Sequence, residues 1–385
     1  MEHFFNEQQQ YIKEIAEKIA REKIAPIAIE CDEKEEMPWD IVKILAKSDL
    51  FAVYIPEEFG GLGGGCLDLC IAVEELSKAC GGISLSLAAT ALGTYPILLS
   101  GSHEQKQKFL PDLAKGSKLA AFCITEAGAG SDASAIKTVA TRDGDSYILN
   151  GSKQWITNGG EAEIYTVIAM TDKNRGARGA SAFVVEKGTP GLSFGKKEKK
   201  MGIRASMTRE VIFEDVKIPK ENLLGKEGRG FMVAMGTFDH SRPGVAAQAL
   251  GIAQGAIDDA IKYGRERHQF GKPIISFQGL QFMLADMTTQ VEAARALVYA
   301  VARTVDAGVK SFSKESAMAK MYASDVAMKV TTDAVQLLGG YGYMREYPME
   351  KRMRDAKITQ IYEGTNQVQR AIIAGQLIKE SAAKK

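Results

Sequence analysis

The segment EIYTVIAMTD, residues 163–172, is a short run of β-branched and aromatic residues in a chain whose two ends have helical patterns. Such a run is typical of a β-strand. Similar runs, separated by Gly, Asp and Asn, lie on both sides of it: SYILNG at 146–151, ASAFVVEKG at 180–188 and REVIFEDVKIP at 209–219. Together they predict a small β-domain.

Helical patterns precede these strands. Apolar residues at positions 12, 15 and 19 fall on one face of a helix, and Asn6 with Gln9 three residues later is a capping signal. Pro26 is expected to end this first helix. Further helical patterns continue to about residue 118.

Long alanine-rich helical patterns follow the strands, at 244–267, 277–308 and 313–340, and predict a helix bundle. The predicted fold class is therefore mainly α with a middle β-domain (α+β). The predicted domains are an N-terminal helical domain at 1–118, a middle β-domain at 119–223 and a C-terminal helical bundle domain at 224–385.

The composition, with 45% hydrophobic and 25% charged residues over 385 residues, predicts a soluble globular protein of more than one domain. A net charge of +1 provides no overall field to attract nucleic acid or an acidic membrane. The N-terminal MEHFFNEQQQ lacks the regions of a signal peptide. No apolar run is expected to approach the roughly 20 residues of a membrane span.

The 5 cysteines are odd in number and scattered, which favours a reducing, cytoplasmic environment over a disulfide framework. Cys66 and Cys70 share a helix face, but no further ligands follow at metal spacing, and no metal site is predicted.

Several motifs carry residues suited to binding or chemistry. FCITEAGAGSDAS at 122–134 has glycines that let a backbone approach a ligand, and GSKQWITNGG at 151–160 has a tryptophan suited to a flat ring. RERHQFGKPI at 265–274 offers arginines for a phosphate. Each also has an ordinary explanation: a turn, a core tryptophan, or surface arginines.

IYEGTN at 361–366 breaks a helical pattern to place Glu363 next to a glycine. In order, TEAGAGSD, GSKQWITNG, ERHQFGKPI, QLLGGYGY and IYEGTN resemble the motifs of the acyl-CoA dehydrogenases, and the likeness extends from Asn6 to about Leu377. Among these enzymes the sequence is most similar to the bacterial short-chain, butyryl-CoA type.

The resemblance implies a homotetrameric flavoprotein with an N-terminal helical domain, a middle β-barrel or sandwich domain and a C-terminal four-helix bundle. Such enzymes bind FAD, oxidise an acyl-CoA to the 2-enoyl-CoA and pass electrons to electron-transferring flavoprotein. A base removes the α-proton while a hydride leaves the β-carbon for flavin N5.

The residue that matches this base is Glu363. Burial beside an apolar chain and a neutral flavin would raise its pKa toward working pH. In the family the thioester oxygen is bound by the flavin ribityl 2′-hydroxyl and by the backbone N–H of the base itself. One branch instead carries its base on a bundle helix, and the position expected to match it here is Gly251.

The resemblance also implies contacts with FAD and with acyl-CoA. The FAD set is Phe122, Ile124, Thr125, Gly130, Ser131, Trp155, Ile156, Thr157, Arg267, Gln278, Gln336, Gly340, Thr365 and Gln367. Thr157 is expected near N5, and Arg267, Gln278, Gln336 and Gly340 at the pyrophosphate and adenosine, partly across a subunit interface. The acyl-CoA set is Ser131, Asp239, Arg242 and Gly364.

The acyl group is less closely defined by the sequence. GGISLSLAATALGTYPILL at 81–99, which matches the acyl-pocket helix, contains no Arg or Lys, and this argues against a dicarboxylic substrate. Tyr95 is large enough to shorten the pocket, whereas Ala88 and Gly93 would widen it for an alicyclic acyl-CoA such as cyclohexane carboxyl-CoA.

Three other functions remain as alternatives. An acyl-CoA oxidase is usually longer at its C-terminus. A non-catalytic acyl-CoA-binding flavoprotein would be expected to lack Glu363. A helical interaction protein without a ligand leaves the glycine-rich and tryptophan motifs unexplained.

Overall fold

The computed structural model describes residues 4–383. Its N-terminal part is helical, in agreement with the sequence prediction. The helices that precede the first strand of the sheet are α1 Glu7–Ile19, α2 Ala28–Lys34, α3 Trp39–Lys47, α4 Cys66–Ala79, α5 Gly81–Ser100 and α6 His103–Ala114.

The first helix begins as predicted but does not end at Pro26. The side chains of Asn6 and Gln9 form a reciprocal capping box at its start. At its end the chain stays helical through a π-turn at Ala20–Ile24 and a 3₁₀-turn at Ala25–Ile27, and then enters α2. Proline lacks an N–H, so it changes the hydrogen-bond spacing, but here the buried apolar face continues through Ile24 and Ala28.

Helix α5 corrects the expectation that no apolar run is long enough to span a membrane. Within residues 4–383 it is the one helix that is long and apolar enough to cross a membrane, with 20 residues and a mean hydropathy of 1.5. However, 78% of its most apolar window is buried inside the fold. Its neighbours are α4, the first strand and a long helix of the C-terminal part, so it is a core helix.

The middle part is one sheet. Its strands are β1 Ala120–Cys123, β2 Val139–Asp143, β3 Ser146–Thr157, β4 Ile164–Met170, β5 Ala180–Glu186, β6 Leu192–Lys197, β7 Thr208–Pro219 and β8 Leu223–Leu224. They are ordered β6-β7-β3-β2-β4-β5-β8, with β1 parallel to β4. The segment 163–172 contains β4, which is buried along its whole length because it is paired on both sides and covered by helices.

Strands β3 and β7 pair antiparallel with two irregularities, between Leu149 and Gly151 and between Lys153 and Ile156. An irregularity of this kind bends a strand and redirects a side chain. Trp155 lies in the second one and has a left-handed φ of 56°. The Trp155 side chain therefore does not follow the regular up-and-down alternation of side chains along the strand.

The C-terminal part consists of long helices, α7 Gly230–Glu266, α8 Gln278–Asp306, α9 Ser313–Leu338 and α12 Asn366–Ala383, with the shorter α10 Gly340–Tyr343 and α11 Met349–Thr359. A hairpin of β9 His268–Gln269 and β10 Lys272–Pro273 joins α7 to α8. The four long helices form the predicted bundle, and the fold class predicted from the sequence is confirmed.

Helix α11 is fixed to all three parts of the chain by buried and partly buried charges. Asp355 accepts hydrogen bonds from the Ile203 N–H at 2.5 Å and from Lys351 Nζ at 2.6 Å. Burial opposes the charge on Lys351, but Asp355 raises the pKa of this ammonium above its usual value. The Asp355 carboxylate thus ties the loop between β6 and β7 to α11.

Two arginines of α11 extend these ties. Arg352 Nη1 donates to the Lys78 carbonyl oxygen at the end of α4, at 2.6 Å, and its Nε donates to Asp259 of α7 at 2.8 Å. Arg354 Nη2 donates to Asp32 of α2 at 2.7 Å. Because these partners belong to the N-terminal and C-terminal parts, α11 has a fixed position relative to both.

We expect Asp355→Ala to destabilise the fold by about 3–5 kcal/mol, because it leaves the Lys351 ammonium buried without its carboxylate partner. Thermal and urea unfolding of the holoprotein measure the effect. The matched control is Asp143→Ala, which breaks the exposed Lys217–Asp143 pair and should cost less than about 1 kcal/mol. Equal losses in the two variants would contradict the importance of the buried pair.

Candidate active site

The helical pattern breaks between α11 and α12, as the sequence predicts. α11 ends at Thr359 and α12 begins at Asn366. In the turn between them, Glu363 has a φ of 53° and Gly364 a φ of 91°, both left-handed. A left-handed glutamate is strained. The turn thus gives the Glu363 side chain a direction that a helix would not.

The Glu363 carboxylate is half-buried and faces α7. The Ser241 hydroxyl donates a hydrogen bond to its Oε2. Burial raises the pKa of Glu363 to about 6, against the opposing effects of the Ser241 hydrogen bond and of the Arg242 and Lys320 charges. The carboxyl therefore titrates near neutral pH, where it can both take up and release a proton.

Polar side chains also hold the backbone of this turn. Lys320 Nζ donates to the Gly364 carbonyl oxygen at 2.8 Å, and Gln369 Nε2 donates to the Glu363 and Gly364 carbonyl oxygens at 3.1 and 2.9 Å. Both side chains are fully buried. Within the described part of the chain, the Glu363 N–H has no acceptor. The carbonyls of the turn are bonded, whereas this amide is free.

Asp239 and Arg242 form the local ion pair expected from their spacing, with Arg242 Nη1 and Asp239 Oδ1 2.9 Å apart. Ser313 of α9 donates to the same carboxylate. Arg242 also lies over the ring of Phe238, 5.8 Å from its centroid, and Phe238 packs edge-on against Phe122 of β1 at 5.5 Å. These contacts connect the Glu363 turn to the first glycine-rich motif.

The motifs at 122–134 and 151–160 are brought together. The Gln154 N–H donates to the Thr125 carbonyl oxygen at 2.8 Å. Lys153 is fully buried, and its Nζ donates to the Ile124 carbonyl oxygen at 3.1 Å and to Glu126 at 2.8 Å. The predicted residues Phe122, Ile124 and Thr125 therefore lie beside Trp155, Ile156 and Thr157.

This joint surface fits a flat ring. Trp155 is 58% exposed, so it is not the core residue that was the alternative explanation, whereas Ile156 beside it is buried. Gly128 and Gly130 face open space, since a Cβ there would meet nothing within 4 Å. Gly130 and Ser131 are both exposed. An exposed indole beside open backbone and hydroxyl groups suits an isoalloxazine ring.

The remaining predicted FAD residues lie elsewhere. Arg267 sits over the ring of Tyr341 of α10 at 5.4 Å. Gly340 begins α10, Gln336 lies in the last turn of α9, and Gln278 begins α8. Within residues 4–383, no hydrogen bond or ring contact joins these four residues to the surface formed by the motifs at 122–134 and 151–160.

In the Glu363 turn, the Thr365 hydroxyl accepts a hydrogen bond from the Val368 N–H and caps α12. Gln367, two residues further on, is exposed.

A buried polar contact begins at Tyr362, the residue before Glu363. The Tyr362 hydroxyl donates to Gln248 Oε1 of α7, and Gln248 Nε2 donates to the Gly81 carbonyl oxygen at the start of α5, at 2.8 Å. Gln248 is fully buried. Tyr95 packs instead against the rings of Tyr54 and His240.

The expected match at Gly251 is wrong. A Cβ at this position would lie 2.2 Å from the Glu74 carbonyl oxygen of α4, so Gly251 serves close helix packing. The α7 side chain that bonds the Glu363 carboxylate is Ser241.

Sequence reasoning missed Ser241, Gln248, Lys320 and Gln369. Lys320 did leave a signal, because it stands among Ser316, Ala317, Ala323 and Ser324 on a small-residue helix face that is buried. A lysine on such a face is rarely left without a partner. The other three are polar residues on helices whose facing partners depend on the tertiary packing.

Comparison with known proteins identifies the family. Three family models match the chain in order: the acyl-CoA dehydrogenase N-terminal domain at 6–117, middle domain at 121–216 and C-terminal domain at 228–378. A short-chain-specific acyl-CoA dehydrogenase of Megasphaera elsdenii is 51% identical over 377 residues, which cover 97% of this chain and 98% of the relative.

Solved structures agree. Butyryl-CoA dehydrogenase from Megasphaera elsdenii superposes with a TM-score of 0.96 at 50% identity, over 98% of this chain and 100% of that one. A chain in a structure described as the electron-transferring flavoprotein of Acidaminococcus fermentans gives 0.96 at 53% identity, over 98% and 99%. With all three domains matched over nearly its whole length, this chain belongs to the acyl-CoA dehydrogenase family and is an oxidoreductase that acts on CH–CH bonds.

Proposed function

We propose that the protein dehydrogenates a short-chain acyl-CoA, of the butyryl-CoA class, between its α and β carbons, with Glu363 as the base. The observation that carries this proposal is the Glu363 turn, in which a carboxyl with a pKa of about 6 stands beside its own unpaired N–H. One residue thus offers a proton acceptor and a hydrogen-bond donor side by side.

These two groups suit the chemistry of a thioester. The Glu363 carboxylate takes the α-proton, and the negative charge that develops on the thioester oxygen is stabilised by the Glu363 N–H. Arg242 and Ser241 lie next to the carboxylate and favour its ionised form. We assign Ser131, Asp239, Arg242 and Gly364 to acyl-CoA binding.

The cofactor is FAD, which supplies an acceptor for the hydride that leaves the β-carbon. Phe122, Ile124, Thr125, Gly130, Ser131, Trp155, Ile156 and Thr157 would hold its ring. Thr365 and Gln367 would contact it from the Glu363 turn. Arg267, Gln278, Gln336 and Gly340 form a separate group. This separation supports an FAD site shared between subunits of a homotetramer.

The assignment of the acyl class rests on the relatives and on the buried contact that begins at the residue before the base. The named activities of the Megasphaera elsdenii enzyme and structure are short-chain and butyryl-CoA specific. Here the Tyr362–Gln248–Gly81 contact spans the C-terminal turn, α7 and α5 next to Glu363. We infer that this contact limits the space for a longer acyl chain.

We further infer that electron-transferring flavoprotein accepts the electrons and that the enzyme works in the cytoplasm. The name of the Acidaminococcus fermentans structure supports the first inference. The five cysteines, all free in the described chain, support the second.

Glu363→Gln tests the function directly. The variant keeps the shape of the side chain and its backbone N–H but cannot take a proton, so flavin reduction should slow by about 10³-fold or more. Anaerobic bleaching of the oxidised flavin band is followed with butyryl-, hexanoyl-, octanoyl-, isovaleryl-, glutaryl- and cyclohexane carboxyl-CoA.

Bleaching of the unaltered protein by butyryl-CoA, lost in the Gln variant, supports the proposal. Bleaching only by the cyclohexane carboxyl compound would replace the substrate class. A yellow protein that none of the compounds bleaches would contradict dehydrogenation, and bleaching that survives in the variant would exclude Glu363 as the base.

The pH profile should report the Glu363 carboxyl. Because the base acts as a carboxylate, the rate of flavin reduction should rise through a pKa of about 6 as pH increases. In Ser241→Ala the carboxylate loses a hydrogen bond, and the midpoint should move up by about one pH unit. Ser316→Ala, a buried serine of α9 that bonds the Asp239 carbonyl, is the control. An unchanged midpoint in Ser241→Ala would contradict the assignment.

Gln248→Ala should lengthen the preferred acyl chain, because it removes the wall that Tyr362 and Gln248 form. Each methylene that becomes buried gains about 0.8 kcal/mol, so the ratio of kcat/KM for hexanoyl-CoA to that for butyryl-CoA should rise on the order of 10-fold. The matched control, Gln254→Ala, lies on α7 but bonds Asp258 and Arg295. A ratio that moves equally in both variants would count against this wall.

A further inference from the structure

We propose that Lys320, with Gln369 as a second donor, is a positioning residue for the Glu363–Gly364 turn and sets the direction of the Glu363 carboxylate. The inference rests on the proposed role of Glu363 as the base. Lys320 lies on α9, behind the turn, and none of the assigned FAD or acyl-CoA contacts includes it.

The first observation is the burial of Lys320 and the partners of its ammonium. Its side chain is fully buried, and Nζ donates to the Gly364 carbonyl oxygen at 2.8 Å and to Asn366 Oδ1 at 3.0 Å. Lysine is seldom placed where it loses all contact with water, because burial of a charge has a large free-energy cost. Here one of its two hydrogen bonds goes to the backbone of the turn and the other to the side chain of the first residue of α12.

The second observation is how completely the carbonyls of this turn are bonded. Gln369 Nε2 donates to the carbonyl oxygens of both Glu363 and Gly364. Because a peptide group is planar, a fixed Glu363 carbonyl oxygen also fixes the Gly364 N–H, and a fixed Gly364 carbonyl oxygen fixes the Thr365 N–H. The Glu363–Gly364 and Gly364–Thr365 peptides therefore cannot rotate without breaking buried hydrogen bonds.

These bonds also hold Glu363 in its left-handed conformation, φ 53°. A non-glycine residue in this region costs on the order of 1 kcal/mol or more. A relaxed turn would move the carboxylate away from its present direction. Displacement of a reacting group by about 1 Å is enough to cost about 100-fold in rate.

A purely structural role, fixing α12 on α9, does not explain the contact with Gly364. Asn366, the first residue of α12, is already held by other groups, since its Nδ2 donates to Ser324 Oγ at 2.8 Å and to Asp325 Oδ1 at 2.7 Å. By contrast, the Gly364 carbonyl oxygen has Lys320 and Gln369 as its donors among the residues described.

The experiment compares Lys320→Met with the unaltered holoenzyme by anaerobic stopped-flow, with butyryl-CoA over a range of concentrations. Methionine keeps the length of the side chain and its apolar stem but cannot donate. The limiting rate of flavin reduction should fall about 100-fold, while the Kd for butyryl-CoA changes less than about 3-fold. Rates are expressed per bound FAD, so loss of cofactor does not imitate the effect.

A second readout uses acetoacetyl-CoA, whose acidic α-proton is lost on binding and whose enolate gives a long-wavelength charge-transfer band with oxidised flavin. The band should weaken in Lys320→Met, because the turn that directs the Glu363 carboxylate, which takes the α-proton, is no longer fixed. The matched control is Ser324→Ala, which removes a hydroxyl from the same buried cluster but leaves both donors to Gly364. It should lower the melting temperature without changing the rate per FAD.

Lys320→Met reducing its flavin at the unaltered rate, with a full charge-transfer band, would overturn the inference. If that variant does not fold, Gln369→Leu carries the test, because it removes donors to the same two carbonyls without altering a buried charge. A rate loss of about 10-fold or more there supports the positioning role, and an unchanged rate overturns it. An unaltered enzyme that no acyl-CoA reduces would instead remove the proposed function on which the inference rests.

Discussion

The position of helix α11 is the constraint on which the geometry of the site depends. Its buried and partly buried charges bond to α2, to the end of α4, to the loop between β6 and β7 and to α7. Buried ion pairs contribute little net stability compared with apolar packing, but each one tolerates few arrangements. Because α11 leads directly into the Glu363 turn, the three parts of the chain together decide where that carboxylate stands.

The pKa of Glu363 results from opposing effects of burial and of the neighbouring side chains. Burial favours the neutral acid, and Ser241, Arg242 and Lys320 favour the carboxylate. The balance places the pKa between those of an exposed glutamate and a fully desolvated one. A site that must both remove a proton and release it later benefits from this intermediate value.

Local signals explain how much could be predicted from the sequence. The Asn6–Gln9 cap, the buried strand β4 and the helix break at Glu363 each depend on a few neighbouring residues, and each is present. The prediction that Gly251 matches the alternative base position was wrong. α7 is 37 residues long, and successive side chains along a helix point in different directions. Which of its residues faces the turn is decided by packing against α4 and α9, and sequence spacing does not contain that information.

The buried hydrogen-bond donors to the Glu363 turn could not be predicted from the sequence, because their partners are also decided by tertiary packing. Lys320 and Gln369 belong to different helices, and their common target is the backbone of a third segment. Side-chain contacts with a backbone carbonyl leave no pattern in the residue that is contacted. The predicted end of the first helix was wrong for another reason. The chain stays helical past Pro26 because the spacing of its helical hydrogen bonds changes there.

Trp155 and Glu363 share a left-handed backbone, with φ of 56° and 53°. Glycine would adopt either conformation without the clash of a Cβ. Folding alone therefore gives no reason to retain an indole or a carboxylate at these positions. A lineage of this protein selected only for stability would drift toward glycine at both, keeping its architecture while losing the ring and the acid that its reaction requires.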